Sequence, residues 1–514
     1  MSDVTTAVDL TRNSAPAGFR LRAAFRTPAV AVPGIAGILT VIITALWSWV
    51  PSLWGDEAAS ALSAQRSFPS FLHEVTHVDA VHALYYAGLH LWVALAGTSP
   101  FALRFPSAVA LGVTVAGVIV LARLFTQEWR LPLIAAALTA LLPRLDFAGI
   151  EARGYAWTAA FAVWIMIVAV ATLQGRIAPT RGWTWFALLC GVGTALNLYV
   201  GSLIFITGCL AALWRRERAQ LRQWALAAAV ALVLASPVIV FGALERGQVA
   251  FLARRAVPPH AWLVNQWFGY SLFAVIGWVG LLAAAAVVAL RRRAELDRGL
   301  GVAALLWAGV PSAFLIGTIP TLHNYTPRYL TFTAPAVALL IALAIDAVFR
   351  HWKPAGVAVL TAVLLAAVPS YVVQRTPNAE NESDWAQVGA VIAANAQPGD
   401  QIAFDATVRP SRRPQSAWRT YPQDFVNVSV PQLVTPYWAR AAWSDRLMTI
   451  EDAASQHLFT AGTVFAVIAD FPGEGVIDTG GVPALEAAGY HVVREWHLNS
   501  DEVLQLDRVG VTRG

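Results

Sequence analysis

Asp56 and Glu57 stand side by side in the stretch PSLWGDEAAS, directly after an apolar run, 31–50, that carries no charge. Two carboxylates delivered where a hydrophobic segment ends are placed for acid–base work at a lipid surface. Three further strings concentrate related chemistry. THVDAVHALYY brings His77, Asp79, His82, Tyr85 and Tyr86; GIEARGYAW brings Glu151, Arg153 and Tyr155; TLHNYTPRYL brings His323, Asn324, Tyr325, Arg328 and Tyr329. An arginine fork pairs with phosphate oxygens and keeps its charge through any burial. A carboxylate can take a proton from a neutral nucleophile. Together these types suit a site that handles a lipid-borne phosphate at the membrane–water boundary.

Each residue also has a plainer reading. Asp56 would serve as an interfacial acid, the tyrosine pair as an aromatic-belt anchor, and Arg153 as a snorkelling residue or the partner of Glu151. His73 and His90 read as surface or packing residues, and Arg144 and Asp146 as a local ion pair. The coincidence of the four strings on one face of a membrane favours the chemical reading over these.

That coincidence depends on how the chain is threaded. Its 514 residues are 57% hydrophobic and 13% charged, against about 25% charged in ordinary soluble domains. This composition reads as a polytopic α-helical membrane protein. The net charge of +5 does not indicate nucleic acid, because the basic residues fall in short clusters between apolar runs. Apolar runs that could span occur at 31–50, 104–124, 131–147, 154–174, 182–198, 200–214, 223–243, 264–290, 299–319, 329–349 and 354–373, about 11 by a criterion of roughly 20 residues each. The stretch 79–96 is excluded, because Asp79, two histidines and two tyrosines are mixed through it. With residues 1–30 as a cytoplasmic tail, Arg123, Arg130, Arg176, Arg181, Arg215, Arg216, Arg218, Arg222, Arg291, Arg292, Arg293, Arg298, Arg350 and Lys353 all fall inside, as the positive-inside rule requires. Letting 79–96 cross would move every cluster outside. Residues 50–103 then form one long outer loop with helices along the interface. The four strings share the outer face.

After Pro377 the composition becomes that of a soluble domain, 374–514, placed outside the membrane. SDWAQVGAVIAANAQPGDQIAF reads as a helix capped by Ser383, a turn and a strand; TVFAVIAD and EVLQLDR read as further strands. Strands separated by helices predict a small α/β sandwich, and no phosphate-binding glycine loop appears in it. Cys190 and Cys209 lie inside apolar runs and indicate neither a disulfide nor a metal site.

In order along the chain, WGDEAAS, HVDAVHALYY, FALRFPSAV, EARGYAW and YTPRYLTFTAPAVALL resemble the GT-C membrane glycosyltransferases. They are most similar to the family-39-like branch of protein O-mannosyltransferases and lipid A aminoarabinose transferases, and 374–514 looks like the outer domain of actinobacterial predicted mannosyltransferases. HVDAVHALYY departs from the family's segment by lacking two prolines. It also lacks the phosphate-binding lysine of the aminoarabinose transferases; Lys353 is the only lysine in the chain.

The resemblance implies an inverting enzyme of the plasma membrane. It would move one sugar, of the mannose or arabinofuranose class, from a polyprenyl-phosphate donor to a cell-envelope acceptor, a glycan, lipid or protein. Asp56 would be the base, with Glu57 beside it in the catalytic pair, orienting the first loop or binding a cation. Arg328, Arg153 and Tyr329 would hold the donor phosphate. His77, Asp79, His82, Tyr85, Tyr86, Glu151, Tyr155, His323 and Asn324 would line the substrate site. Glu57, His77 and Asp79 are where a divalent cation, Mg or Mn, would fall if the reaction uses one; no other cofactor is implied. Two other classes compete: a transporter or flippase for a lipid-linked glycan, and a binding protein whose outer domain works alone. A transporter would carry acids inside its spans near the midplane, where this sequence has almost none.

Overall fold

A computed structural model describes residues 28–214, 218–245, 247–248, 256–290, 296–471, 475–476 and 480–510. The tail 1–30 therefore lies outside the described residues except at 28–30, as do Arg215, Arg216, Arg291, Arg292 and Arg293.

Eight described helices are long and apolar enough to cross a membrane: Pro28–Ala45, Pro100–Arg123, Tyr155–Leu173, Arg218–Leu244, Ser271–Leu290, Gly299–Gly317, Pro327–His351 and Lys353–Val373. A ninth would be the pair Arg130–Leu141 and Pro143–Gly149, bent by 61°. The bend sits at Leu142, which is extended because the following proline disfavours helical backbone there. The runs 182–198 and 200–214 appear as the helices Pro179–Leu196 and Ser202–Trp214. Neither passes the same test, the first because of its polar opening PTRGW and the second because it has 13 residues. The eleven runs counted from sequence thus become eight or nine among the described residues.

Tyr155–Leu173 and Lys353–Val373 are about equally apolar, yet 78% of the first is buried and 17% of the second. An apolar helix that protein leaves uncovered is stable only against lipid tails. Leu282 and Leu365 belong to that outer surface, 70% and 64% exposed. The helices Pro28–Ala45 and Pro100–Arg123 cross at Gly37 and Gly112, where a Cβ on Gly112 would stand 2.6 Å from the Gly37 carbonyl oxygen. The chain is a multi-pass membrane protein.

Asp146 and Asp346, acids within the described bundle, are paired with arginines. Asp146 receives both Nη atoms of Arg375 at 2.7 and 2.8 Å, and not Arg144. Arg144 donates instead to the carbonyls of Asn265 and Gln266. The expected Arg144–Asp146 pair fails because residues two apart on a helix do not face each other. Arg123, Arg130 and Arg350 gather at one end, where Arg130 and Arg350 both hold Asp346 at 2.7 Å. The helix Pro100–Arg123, roughly 36 Å long at 1.5 Å per residue, separates Arg123 from Arg104 at the other end.

At that other end the first loop forms the helices Gly55–Ala64, Phe68–Val75 and Ala83–Ala96. Ala83–Ala96 has 14 residues, roughly 21 Å, too short for a hydrocarbon core of about 30 Å. Its start touches Arg153 through His82, and Trp92 near its end donates to the Ala102 carbonyl at 2.7 Å. It lies along the end of the bundle rather than through it.

The C-terminal domain is built on a mixed sheet of β1 (Asp400–Phe404), β2 (Val428–Ser429), β5 (Thr463–Phe471), β6 (Gly475–Val476), β7 (Tyr490–His497) and β8 (Asp501–Arg508), with β3 (Leu433–Thr435) and β4 (Arg446–Leu447) as a separate pair. The order is β2-β1-β5-β8-β7, with β1 parallel to β2 and β5, and β8 antiparallel to β5 and β7; β6 pairs with β5. The helix Trp385–Asn395 is not capped by Ser383, whose hydroxyl donates to the Leu53 carbonyl at 2.8 Å. Its exposed N–H at Ala386 goes to Ser52 Oγ at 3.1 Å, a cap supplied from the first loop. Leu53, Ala58, Tyr86 and Leu103 share one apolar core with Trp385, Val388, Ile392, Phe404 and Phe425. The outer domain and the first loop therefore fold against each other, a coupling invisible in local sequence.

Candidate active site

Trp54 ends the chain's exit from the first span in extended backbone, and the helix Gly55–Ala64 starts at once. Asp56 and Glu57 occupy its first turn, where the unpaired N–H groups favour negative charge. Successive helical residues point about 100° apart, so the two carboxylates face different surroundings.

Glu57 turns inward. It accepts Arg104 Nε at 2.7 Å and Nη2 at 2.5 Å, and the backbone N–H of Ala152 at 2.8 Å. Arg104 also donates to the carbonyls of Ser48, Pro51 and Ser52. Both side chains are 0% exposed. This network staples the first span, the first-loop helix and the 150–154 loop together. Glu57 is thus turned away from the reacting surface, and of its expected roles the network matches the orienting of the first loop.

Asp56 turns outward and is 21% exposed. Its Oδ2 pairs with Arg328 Nη1, and Arg153 Nη2 stands 3.9 Å away. Burial raises the Asp56 carboxyl, but the two guanidinium groups outweigh it and hold the acid below its ordinary range. Arg328 is 29% exposed and Arg153 7%. Asp56 and Arg328 are therefore the charges a ligand reaches, while Arg153 supports them from within. Arg153 donates from Nη1 to the Asp56 carbonyl at 3.2 Å and to Tyr86 OH at 3.0 Å, and Nη2 lies 2.8 Å from His82 Nε2. Burial, and then the Arg153 cation, push His82 well below its ordinary value, so its Nε2 is neutral and accepts the bond. Tyr86 OH donates to Asp79 Oδ2 at 3.1 Å. Burial raises the Asp79 carboxyl above its usual range.

Arg328 lies over Trp54 and Tyr155, with its carbon 5.5 and 5.9 Å from the ring centres. Glu151 Oε1 is 3.9 Å from Arg328 Nη1, is 1% exposed on its side chain, and neither of its oxygens accepts a hydrogen bond. Burial lifts its carboxyl to about 7, against the pull of Arg328. Ser107 fixes the loop that carries it, donating to the Glu151 carbonyl at 2.7 Å.

The geometry thus gathers Asp56, Arg153, Arg328, Glu151, His82, Asp79, Tyr86 and Tyr155. Tyr85 is buried beside Gly154. Tyr329 stacks on Tyr199 at 5.4 Å, and Asn324 donates to Tyr199 OH at 2.7 Å, so these two form the adjoining wall. His77 and His323 stay apart. His77 is exposed and its Nδ1 lies 2.8 Å from the His73 carbonyl; His323 is exposed at the left-handed end of a short helix. Glu57, His77 and Asp79 do not converge as a cation site among the described residues. Among the described residues, the three-residue group with ligand atoms close enough is Glu495, His497 and Glu502 on the outer sheet.

Two residues were missed in the sequence. Arg104 was legible as a cation four residues inside an apolar helix. Glu380, 1% exposed and raised well above its ordinary value by burial and then by Glu57, gave no signal.

No protein-family model matches the chain, and no curated protein matches it. Solved structures do. ArnT from Cupriavidus metallidurans bound to undecaprenyl phosphate aligns with a TM-score of 0.56 at 12% identity, over 92% of this chain and 97% of that one. Its apo form gives 0.57 over 93% and 98%, also at 12% identity. The arabinofuranosyltransferase AftD from Mycobacteria gives 0.46 at 16% identity, over 94% of this chain and 40% of that one. The chain has the fold of the GT-C membrane glycosyltransferases.

Proposed function

We propose that this chain is an inverting glycosyltransferase that takes one sugar, of the mannose or arabinofuranose class, from a polyprenyl-phosphate carrier. The acceptor is a hydroxyl of a cell-envelope molecule on the outer face. The observation that carries the reading is the solvent-reachable Asp56–Arg328 pair at the rim of a lipid-facing bundle. ArnT, whose fold the chain shares, was solved with undecaprenyl phosphate, which supports a lipid phosphate as the ligand of Arg328.

Without donor, Asp56 neutralises Arg328. The donor phosphate competes for the same guanidinium, and the carboxylate it displaces becomes the base. The acceptor O–H proton passes to Asp56 as the acceptor oxygen bonds to the anomeric carbon. The bond from that carbon to the phosphate oxygen breaks, and Arg328 stabilises the charge that grows there. Phosphate leaves without a strong acid, and single displacement inverts the anomeric centre. Arg153 holds Asp56 and Tyr86 in place. The acids inside the bundle argue against a flippase: Asp146 and Asp346 are each paired with arginines.

The test is transfer by the purified chain from radiolabelled polyprenyl-phosphate mannose and arabinofuranose to extracted envelope acceptors. One donor is consumed and the product carries the inverted anomer. Retention of configuration, or movement of intact donor between leaflets without transfer, would overturn the reading.

A further inference from the structure

Just past the end of the helix Arg218–Leu244, Glu245 and Gln248 reach across to the first loop. Glu245 Oε2 accepts the backbone N–H of Ala80 at 2.9 Å. Gln248 Oε1 accepts the N–H of Asp79 at 3.2 Å, and its Nε2 donates to the His77 carbonyl at 3.3 Å. Gly242 lets the two segments come this close, since a Cβ there would stand 2.9 Å from Val81 Cγ1. The span and the turn 77–82 are therefore joined by three hydrogen bonds and a close packing contact.

That turn needs an outside hold. Asp79 has φ 60°, in the left-handed region that a residue with a side chain keeps only where its surroundings fix it. It opens the single helical turn Ala80–His82, which runs straight into the helix Ala83–Ala96. N–H groups at such a start lack helical partners, and an acidic oxygen suits them. The Asp79 side chain does not cap them; its Oδ2 accepts Tyr86 OH instead. Glu245 and Gln248 supply the missing acceptors.

The turn in its place carries the supports of Arg153. Arg153 Nη2 stands between two groups, His82 Nε2 at 2.8 Å and Asp56 Oδ2 at 3.9 Å. Its Nη1 donates to Tyr86 OH, whose own proton goes to Asp79. Shift the turn, and the guanidinium loses His82 while the Asp56 carboxylate stays within reach. We infer that Glu245, seconded by Gln248, is a positioning residue for sugar transfer: it fixes the turn that keeps Arg153 on His82 and off the Asp56 carboxylate. The inference rests on the glycosyltransferase reading with Asp56 as base. A guanidinium closed onto that carboxylate would favour its charged form and occupy the lone pairs that must take the acceptor's proton, leaving a weaker base. Arg328 is not affected, since none of the three bonds at the turn involves it.

The test uses the full chain in nanodiscs, as wild type, Glu245→Ala, Glu245→Gln and Gln248→Ala. In Glu245→Ala, kcat falls about tenfold, part of the roughly 10²–10⁴-fold that a whole general base supplies, while KM for the polyprenyl-phosphate sugar holds. Glu245→Gln keeps an oxygen for the Ala80 N–H and restores kcat. Nitrogen-15 NMR of the histidines, with His82 assigned by the signal lost in His82→Gln, reads the same hold without any transfer. The His82 ring stays neutral through mildly acid buffer in wild type and Glu245→Gln, and in Glu245→Ala it protonates closer to the ordinary value of about 6.5. If Glu245→Ala does not fold, Gln248→Ala, changed at an exposed position, decides by the same two readouts. Wild-type kcat, an unmoved His82, a loss confined to KM, or a loss that Glu245→Gln shares in full overturns the inference. A wild type that transfers no sugar would instead sink the glycosyltransferase reading, and an unmoved His82 would then show separately that the turn holds nothing on Arg153.

Discussion

Adjacent carboxylates with opposite fates give the sharpest prediction. Glu57→Gln keeps the side chain's volume but leaves the Arg104 guanidinium without its counter-charge, in a site where both groups are 0% exposed. Breaking such a buried pair from one side costs about 3–5 kcal/mol. Arg104 retains the carbonyls of Ser48, Pro51 and Ser52, which places the loss near the lower end, about 3 kcal/mol. Asp56→Asn acts on a pair 21% and 29% exposed, so its cost to stability stays near or below about 1 kcal/mol. Its cost to turnover is that of a lost general base, about 10²–10⁴-fold. Equilibrium unfolding in detergent, alongside transfer kinetics, separates the two. A Glu57→Gln protein that unfolds like wild type yet cannot transfer sugar would refute the assignment, making Glu57 the reacting acid. So would an Asp56→Asn protein that keeps wild-type turnover.

Three other outcomes follow from the geometry. Glu151 has its folded value raised to about 7; its contribution to stability is whole below its ordinary value and is lost as pH rises through about 7. Above that pH its charge competes for Arg328, so polyprenyl-phosphate affinity falls several-fold between mildly acid and mildly alkaline buffer, and a flat profile in the wild type contradicts this. Glu151→Gln abolishes the pH dependence. Gly55→Ala puts a Cβ 2.3 Å from the Ser411 carbonyl oxygen, which costs about 1–3 kcal/mol and displaces Asp56, read as lowered Tm together with lowered kcat. Residues 374–514 expressed alone expose the faces of Trp385, Val388 and Ile392 that pack on Leu53 and Ala58, so they aggregate; a soluble, cooperatively folded fragment would show that the shared core is dispensable.

What the sequence revealed and what it concealed have physical reasons. The meeting of Asp56, Arg153 and Arg328 was legible because topology is set by apolar run length and by arginine bias, and these put three distant strings on one face. Glu57 was readable both as a partner in the catalytic pair and as the residue that orients the first loop; adjacency in sequence could not choose, because the turn of a helix aims neighbours apart. The Arg144–Asp146 pair failed for the same reason. Ser383 matched the local pattern of a cap, but the cap came from Ser52, 331 residues earlier. His77 and His323 had suitable chemistry, yet they sit on exposed turns that nothing aims at the site. The burial of Glu380 depends on how the C-terminal domain docks, which no periodicity encodes.

The most direct measurement is the affinity of purified wild-type and Arg328→Ala chains for polyprenyl phosphate in nanodiscs. The account predicts tight binding by the wild type and a loss of about tenfold or more in the variant, with folding intact. Equal affinity in both would mean that the cation at the rim holds no lipid head group.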